Sequence, residues 1–141
     1  MKKINCILLV DDSPADNEFH SIIIRKADVC NHIRIAEDGV KAIEYIKNSF
    51  KPGNEDEYPK ANLIFLDINM PRMNGFEFLE AYHKLNEKYK TSIVIAMLTT
   101  SLNPEDRTRA MMSGEISDFE NKPLTKTMLL NVIQKFFPQV L

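Results

Sequence analysis

The sequence predicts an α/β protein with a doubly wound, five-stranded parallel sheet and helices on both faces. Three observations lead there. Short apolar runs alternate with amphipathic stretches along the whole chain, as parallel strands joined by crossover helices require. The first, third and fourth runs are almost continuously apolar, which suits strands buried on both faces. Two of them stop at carboxylates: Asp11-Asp12 follows Ile7-Leu8-Leu9-Val10, and Asp67 follows Leu63-Ile64-Phe65-Leu66.

The elements follow in order. Residues 6–10 read as the first strand. Ser13-Pro14-Ala15-Asp16 then reads as a helix start, with a capping hydroxyl, proline at the first helical position and an acid in the first turn. Phe19, Ile22, Ile23 and Lys26 continue it at helical spacing. A second strand over 32–36 precedes a helix over 40–48 with Val40, Ile43 and Ile46 inward. Residues 49–60, with Pro52-Gly53-Asn54 and the acids Glu55, Asp56 and Glu57, lack periodicity and read as a long surface loop within one domain. The third strand covers 63–66 and its helix 75–85, with Phe76, Leu79 and Tyr82 on one face. A fourth strand over 92–98 leads to the helix start Asn103-Pro104-Glu105-Asp106. A fifth over 116–119 leads to a helix capped by Thr125 and carrying Met128, Leu129, Val132, Ile133 and Phe136.

Composition narrows the function classes. A chain of 141 residues with 44% hydrophobic and 27% charged residues reads as a single globular domain, 1–141, with no output domain. A net charge of -2 leaves no basic footprint for nucleic acid. The apolar stretch after Met1-Lys2-Lys3 ends at Val10, too short for a signal peptide, and no segment reaches membrane-spanning length. Cys6 and Cys30 lack metal or disulfide spacing and read as reduced thiols in a cytoplasmic protein.

In parallel sheets ligands sit beyond the carboxyl ends of the strands. That edge gathers Asp11, Asp12 and Asp67, the hydroxyls of Thr99, Thr100 and Ser101, and Asn121-Lys122-Pro123. Carboxylates so close are unfavourable unless neutralised. A hard divalent cation such as Mg2+ takes one or two protein carboxylates and leaves positions for phosphate oxygens.

These residues resemble the receiver domain of two-component response regulators over essentially the whole chain. The matching pieces are Leu8-Leu9-Val10-Asp11-Asp12-Ser13, the run Leu66-Asp67-Ile68-Asn69-Met70-Pro71-Arg72-Met73-Asn74-Gly75, then Leu98-Thr99-Thr100-Ser101, and Lys122-Pro123-Leu124. The second piece is the most specific. The resemblance implies a flavodoxin-like (βα)5 fold with strand order 2-1-3-4-5. It implies Asp67 as the phosphoacceptor, Asp12, Asp67 and the backbone carbonyl of Asn69 as Mg2+ ligands, and Asp11 contacting the metal through water. It also implies that Lys122 pairs with Asp67 at rest and with a phosphoryl oxygen afterwards, that Thr99 swings toward the phosphoryl group, and that Phe119 follows it. The bond from Lys122 to Pro123 is expected to be cis. Asn69 and Ser101 side chains are expected beside the path of the hydrolytic water.

The implied partners are a sensor histidine kinase or phosphotransfer protein, and a downstream protein docked on the face of helix 4, strand 5 and helix 5. The chain is expected to be a monomer or weak homodimer acting by binding, catalysing only its own phosphorylation and dephosphorylation, or serving as a phosphate sink or shuttle. The segment from Gly114 to Lys122 is one residue longer than the common family spacing, so the strand either contains a bulge or turns Glu120 toward solvent. His20 and His83 read as ordinary helix residues, and Met111, Met112 and Phe136 as core or interface packing. Three other readings fit less well. An aspartyl-phosphate phosphohydrolase places its nucleophile after the first strand, a flavin binder would set Asp11-Asp12 against its own phosphate, and a bare scaffold has no use for Asp67, Thr99 and Lys122.

Overall fold

The computed structural model describes residues 2–90 and 93–140. Five strands, β1 (Ile4–Val10), β2 (Cys30–Ala36), β3 (Leu63–Leu66), β4 (Val94–Thr99) and β5 (Asp118–Asn121), form one parallel sheet in the order β2-β1-β3-β4-β5. Five helices alternate with them: α1 (Pro14–Ala27), α2 (Gly39–Ser49), α3 (Gly75–His83), α4 (Pro104–Met112) and α5 (Lys126–Phe136). Ser92, expected to open the fourth strand, lies outside the described residues.

The three central strands are buried because both faces carry helices. Leu8, Val10, Ile64, Leu66, Ile95 and Met97 face a cluster with α2, α3 and α4, and Ile7, Leu9, Leu63, Phe65, Ala96 and Leu98 face one with α1 and α5. Capping residues start the helices where the sequence places them. The side chains of Ser13, Asn103 and Thr125 accept backbone N–H bonds from Asp16, Glu105 and Met128, and Asn74 with Glu77 forms a full capping box.

Two helices are rotated relative to their apolar stripes. α1 buries Asn17, His20, Ser21 and Ile24 and leaves Phe19 47% exposed. The cause is at its first turn, where the Asn17 amide donates to the backbone carbonyl of Asp11 at 2.9 Å and fixes which face turns inward. α2 buries Ala42, Tyr45, Ile46 and Ser49, with Val40 and Ile43 only half-buried. The Tyr45 hydroxyl donates to the Pro59 carbonyl at 2.5 Å and its ring packs edge-on against Tyr58, anchoring the long acidic loop.

β5 begins two residues later than its apolar letters suggest. Its register against β4 runs unbroken, with Phe119 opposite Met97, Glu120 opposite Leu98 and Asn121 opposite Thr99. This ladder contains no bulge, so the extra residue is absorbed before the strand, where Gly114 takes φ +78°. Glu120 is half-buried, and burial, then Asp118, raises its carboxyl. Met111 and Met112, 45% and 81% exposed, are not core, whereas Phe136 packs partly against the α5 cluster.

Asp38 ties two loops of the functional edge together. It caps α2 through the Lys41 N–H at 2.9 Å and accepts from Arg72 Nε at 2.9 Å, Arg72 itself sitting at φ +62°. Replacing Asp38 with alanine removes the cap and the guanidinium's partner together, and is expected to cost about 2 kcal/mol in urea unfolding.

Candidate functional site

At the carboxyl edge, β1 and β3 run in register from Ile7 opposite Leu63 to Val10 opposite Leu66. Asp11 and Asp67 therefore leave the sheet side by side. The Asp67 N–H donates to the Val10 carbonyl at 2.9 Å and the Asp11 N–H to the Ala36 carbonyl at 3.1 Å, so both backbones are held by neighbouring strands. Asp11 and Asp67 are buried and Asp12 is exposed. Carboxylate oxygens of the three all lie within 4.8 Å of one another.

Lys122 follows β5 and reaches back across the sheet edge. Its backbone N–H donates to the Thr99 carbonyl at 2.8 Å, and the bond to Pro123 is cis, as expected. Its ammonium donates to Asp11 Oδ2 at 2.6 Å and Asp16 Oδ2 at 2.8 Å, and stands 3.6 Å from Asp67 Oδ2. Pairing with Asp67 at rest is thus the longest of three contacts. The sequence marks Asp16 only as a helix-start acid, because its first-turn position explains it locally; its partner is 106 residues away.

Thr99 is fully buried, and its hydroxyl is one of the groups that pull the Asp67 carboxyl down. Thr100 is exposed. The Ser101 N–H donates to Thr99 Oγ1 at 3.2 Å, and the Ser101 hydroxyl donates to Asp106 Oδ2 at 2.6 Å at the start of α4. Asn121, unremarked in the sequence beyond its place beside Lys122, donates from Nδ2 to the carbonyls of Thr99 at 3.3 Å and Ser101 at 2.7 Å. Asn69 is exposed in the loop two residues past Asp67. Phe119 is buried in the cluster that includes Ala110 of α4, with the Arg107 guanidinium 5.6 Å from its ring centroid. His83 pairs with Glu115 at 2.8 Å, away from this edge, while His20 is buried on α1 and kept below its ordinary value by burial, then by Lys122.

The charges of the site oppose one another. Burial, then the neighbouring Asp11, pushes the Asp67 carboxyl up to about 6 against the pull of Lys122, the Ile68 N–H and Thr99. Burial alone would lower the Lys122 ammonium, but its hydrogen bonds to Asp11 and Asp16, with the charge of Asp67, push it up to about 12. The bond from Lys122 holds Asp16 below the usual carboxylate range. Three carboxylates thus share one ammonium. The grouped donors are all carboxylate oxygens, the set that suits a hard divalent cation. Asp67 therefore has an ammonium and a hydroxyl beside it and an oxygen-rich acid pair within reach, a setting suited to receiving a phosphoryl group.

The family profile of the response regulator receiver domain matches residues 7–134. Response regulator Rcp1 of Synechocystis sp. is 35% identical over 100 residues, covering 71% of this chain and 65% of Rcp1. The sensor histidine kinase CheAY of Helicobacter pylori is 32% identical over 131 residues, covering 92% of this chain but 14% of the kinase. This chain thus spans just under two thirds of one relative and a small part of the other. Among solved structures, a two component response regulator from Cytophaga hutchinsonii superposes with a TM-score of 0.85 at 28% identity, covering 97% of this chain and 99% of that one. The Mn(2+)-bound form of Rcp1 superposes with a TM-score of 0.71 at 28% identity, covering 97% and 96%.

Proposed function

Because this chain belongs to the response regulator receiver domain family, we propose that Asp67 accepts a phosphoryl group from a phosphohistidine of a sensor histidine kinase or phosphotransfer protein, and that the chain signals through altered protein binding. The observation that carries this reading is the setting of Asp67, buried, with the Lys122 ammonium 3.6 Å away and its carboxylate oxygen within 4.8 Å of those of the acid pair Asp11-Asp12.

In the transfer, an Asp67 carboxylate oxygen attacks phosphorus. The oxygen–phosphorus bond forms as the phosphorus–nitrogen bond breaks, and the electron pair leaves with the imidazole. Asp11, Asp12, Asp67 and the Asn69 backbone carbonyl would hold Mg2+, which supplies the charge that lets a carboxylate approach an anionic phosphoryl group. The Mn(2+)-bound form of the similar response regulator Rcp1 supports binding of a divalent cation. Lys122 neutralises an equatorial phosphoryl oxygen as charge spreads over all three. Thr99, buried at the end of β4 on the same edge, turns its hydroxyl to another. Turning Thr99 changes the space above Phe119, and α4, β5 and α5 repack as a downstream docking face, a shift of population between two forms. The chemistry on Asp67 is self-modification, and turnover of outside substrates is not part of this function.

The test is to incubate the chain with acetyl phosphate, with and without Mg2+, and read the intact mass and the modified residue. Stoichiometric uptake at Asp67 that is lost with a chelator is expected. An unmodified chain would overturn the reading in favour of a scaffold, and multiple turnover of unrelated phosphate esters would replace it with a phosphohydrolase.

A further inference from the structure

We propose that Asp16 is a positioning residue that restrains phosphoryl uptake by holding the Lys122 ammonium back from Asp67; this rests on the reading of Asp67 as the acceptor. An ammonium has three N–H donors. Two are committed, to Asp11 at 2.6 Å and Asp16 at 2.8 Å, and only the remaining contact of 3.6 Å points to Asp67.

The two committed acids are not equivalent. Asp11 has a side chain only 6% exposed, belongs to the acid pair, and accepts the Ser13 N–H through its other oxygen at 3.0 Å. Asp16 lies outside that pair, on the first turn of α1, with its side chain 41% exposed. Its backbone N–H donates to the Ser13 hydroxyl at 3.2 Å, which fixes the turn independently of the carboxylate. A negative side chain in a first turn is favoured by the helix dipole, so Asp16 needs no lysine to stay ionised.

During transfer the lysine's charge is needed on a phosphoryl oxygen. To lean there, Nζ must loosen its bond to Asp16, whose charge also adds to the repulsion facing an incoming dianion. The substitution Asp16→Asn keeps the shape of the side chain and leaves the Ser13 cap in place while removing the charge. The lysine then leans toward Asp67 at lower cost.

The experiment compares wild type, Asp16→Asn and Asp16→Glu for the rate of Asp67 labelling by acetyl phosphate with Mg2+ and for the affinity of fluoroberyllate, a phosphoryl mimic. In Asp16→Asn both are expected to rise by about threefold to fivefold, the range open to a partly exposed ion pair. Asp16→Glu, which retains the charge, should return labelling toward the wild-type rate. The Mg2+ dissociation constant, measured without a phosphoryl donor, should move less than either. Labelling of a folded Asp16→Asn at or below the wild-type rate overturns the restraint, as does an Asp16→Glu variant as fast as Asp16→Asn. Wild type that takes no phosphoryl group at Asp67 overturns the acceptor reading and the restraint together, so the two failures are distinguishable.

Discussion

Asp67→Asn abolishes phosphoryl uptake and at the same time makes the metal-free protein more stable. The first effect follows from losing the nucleophile, and labelling by acetyl phosphate should fall by more than about a thousandfold, as removal of an attacking group does elsewhere. The second follows from the electrostatics. Burial and Asp11 push the Asp67 carboxyl up to about 6. A group raised in the folded state contributes stability that is fully present below its unfolded value and is lost as pH rises through the folded one. Near neutrality the wild-type chain therefore carries a buried charge that the folded state disfavours. Asparagine carries none. The variant should gain about 1–3 kcal/mol at about pH 7.5 in metal-free urea unfolding, and the gain should shrink toward about pH 4. A variant less stable than wild type at the higher pH would show that the contact with Lys122 outweighs the repulsion from Asp11.

Gly75→Ala should destabilise the fold by about 2–3 kcal/mol, because the site has no space to relax. A Cβ at Gly75 would run into the backbone carbonyl oxygen of Asp67 and sit 2.9 Å from the Ile68 Cα. Both obstacles are main chain. The Gly75 N–H also donates to the Ile68 carbonyl at 2.8 Å, so α3 and the segment after β3 cannot separate without breaking that bond. Whatever gives way moves Asp67, and phosphoryl labelling should fall along with the urea midpoint. Gly53→Ala is the matched control. Gly53 takes φ +85° with nothing within 4 Å of a built Cβ, so it should cost about 1 kcal/mol through the backbone alone and leave labelling unchanged.

The sheet and the acidic edge were legible in the sequence because both signals are local. Leu63-Ile64-Phe65-Leu66 can hardly be anything but a doubly buried strand, and the residue after it must emerge at the carboxyl edge. Thr99 and Lys122 joined the edge by the same logic. Helix orientation was less legible: hydrophobicity marked Phe19 and Ile22, but the Asn17 bond to the Asp11 carbonyl sets the rotation of α1 and turns a polar stripe inward. At β5 the apolar letters mark burial and not pairing. Ile116 is buried ahead of the strand, and the ladder itself runs through Asp118-Phe119-Glu120-Asn121, largely polar because it forms the sheet's edge. Asp16 was hidden for a different reason. Its place in a helix start already accounted for it, and no local pattern points to a lysine so far along the chain.

The Asn121 side chain, fastened to the carbonyls of Thr99 and Ser101, has a consequence for timing. It ties β5 to the end of β4 and the loop after it, so any rearrangement of that loop on phosphorylation of Asp67 would have to stretch or break these two bonds. In the proposed switch, the barrier between resting and phosphorylated shapes would then be set partly by an amide that never meets the phosphoryl group. The speed of such a switch and its extent would then be open to separate tuning.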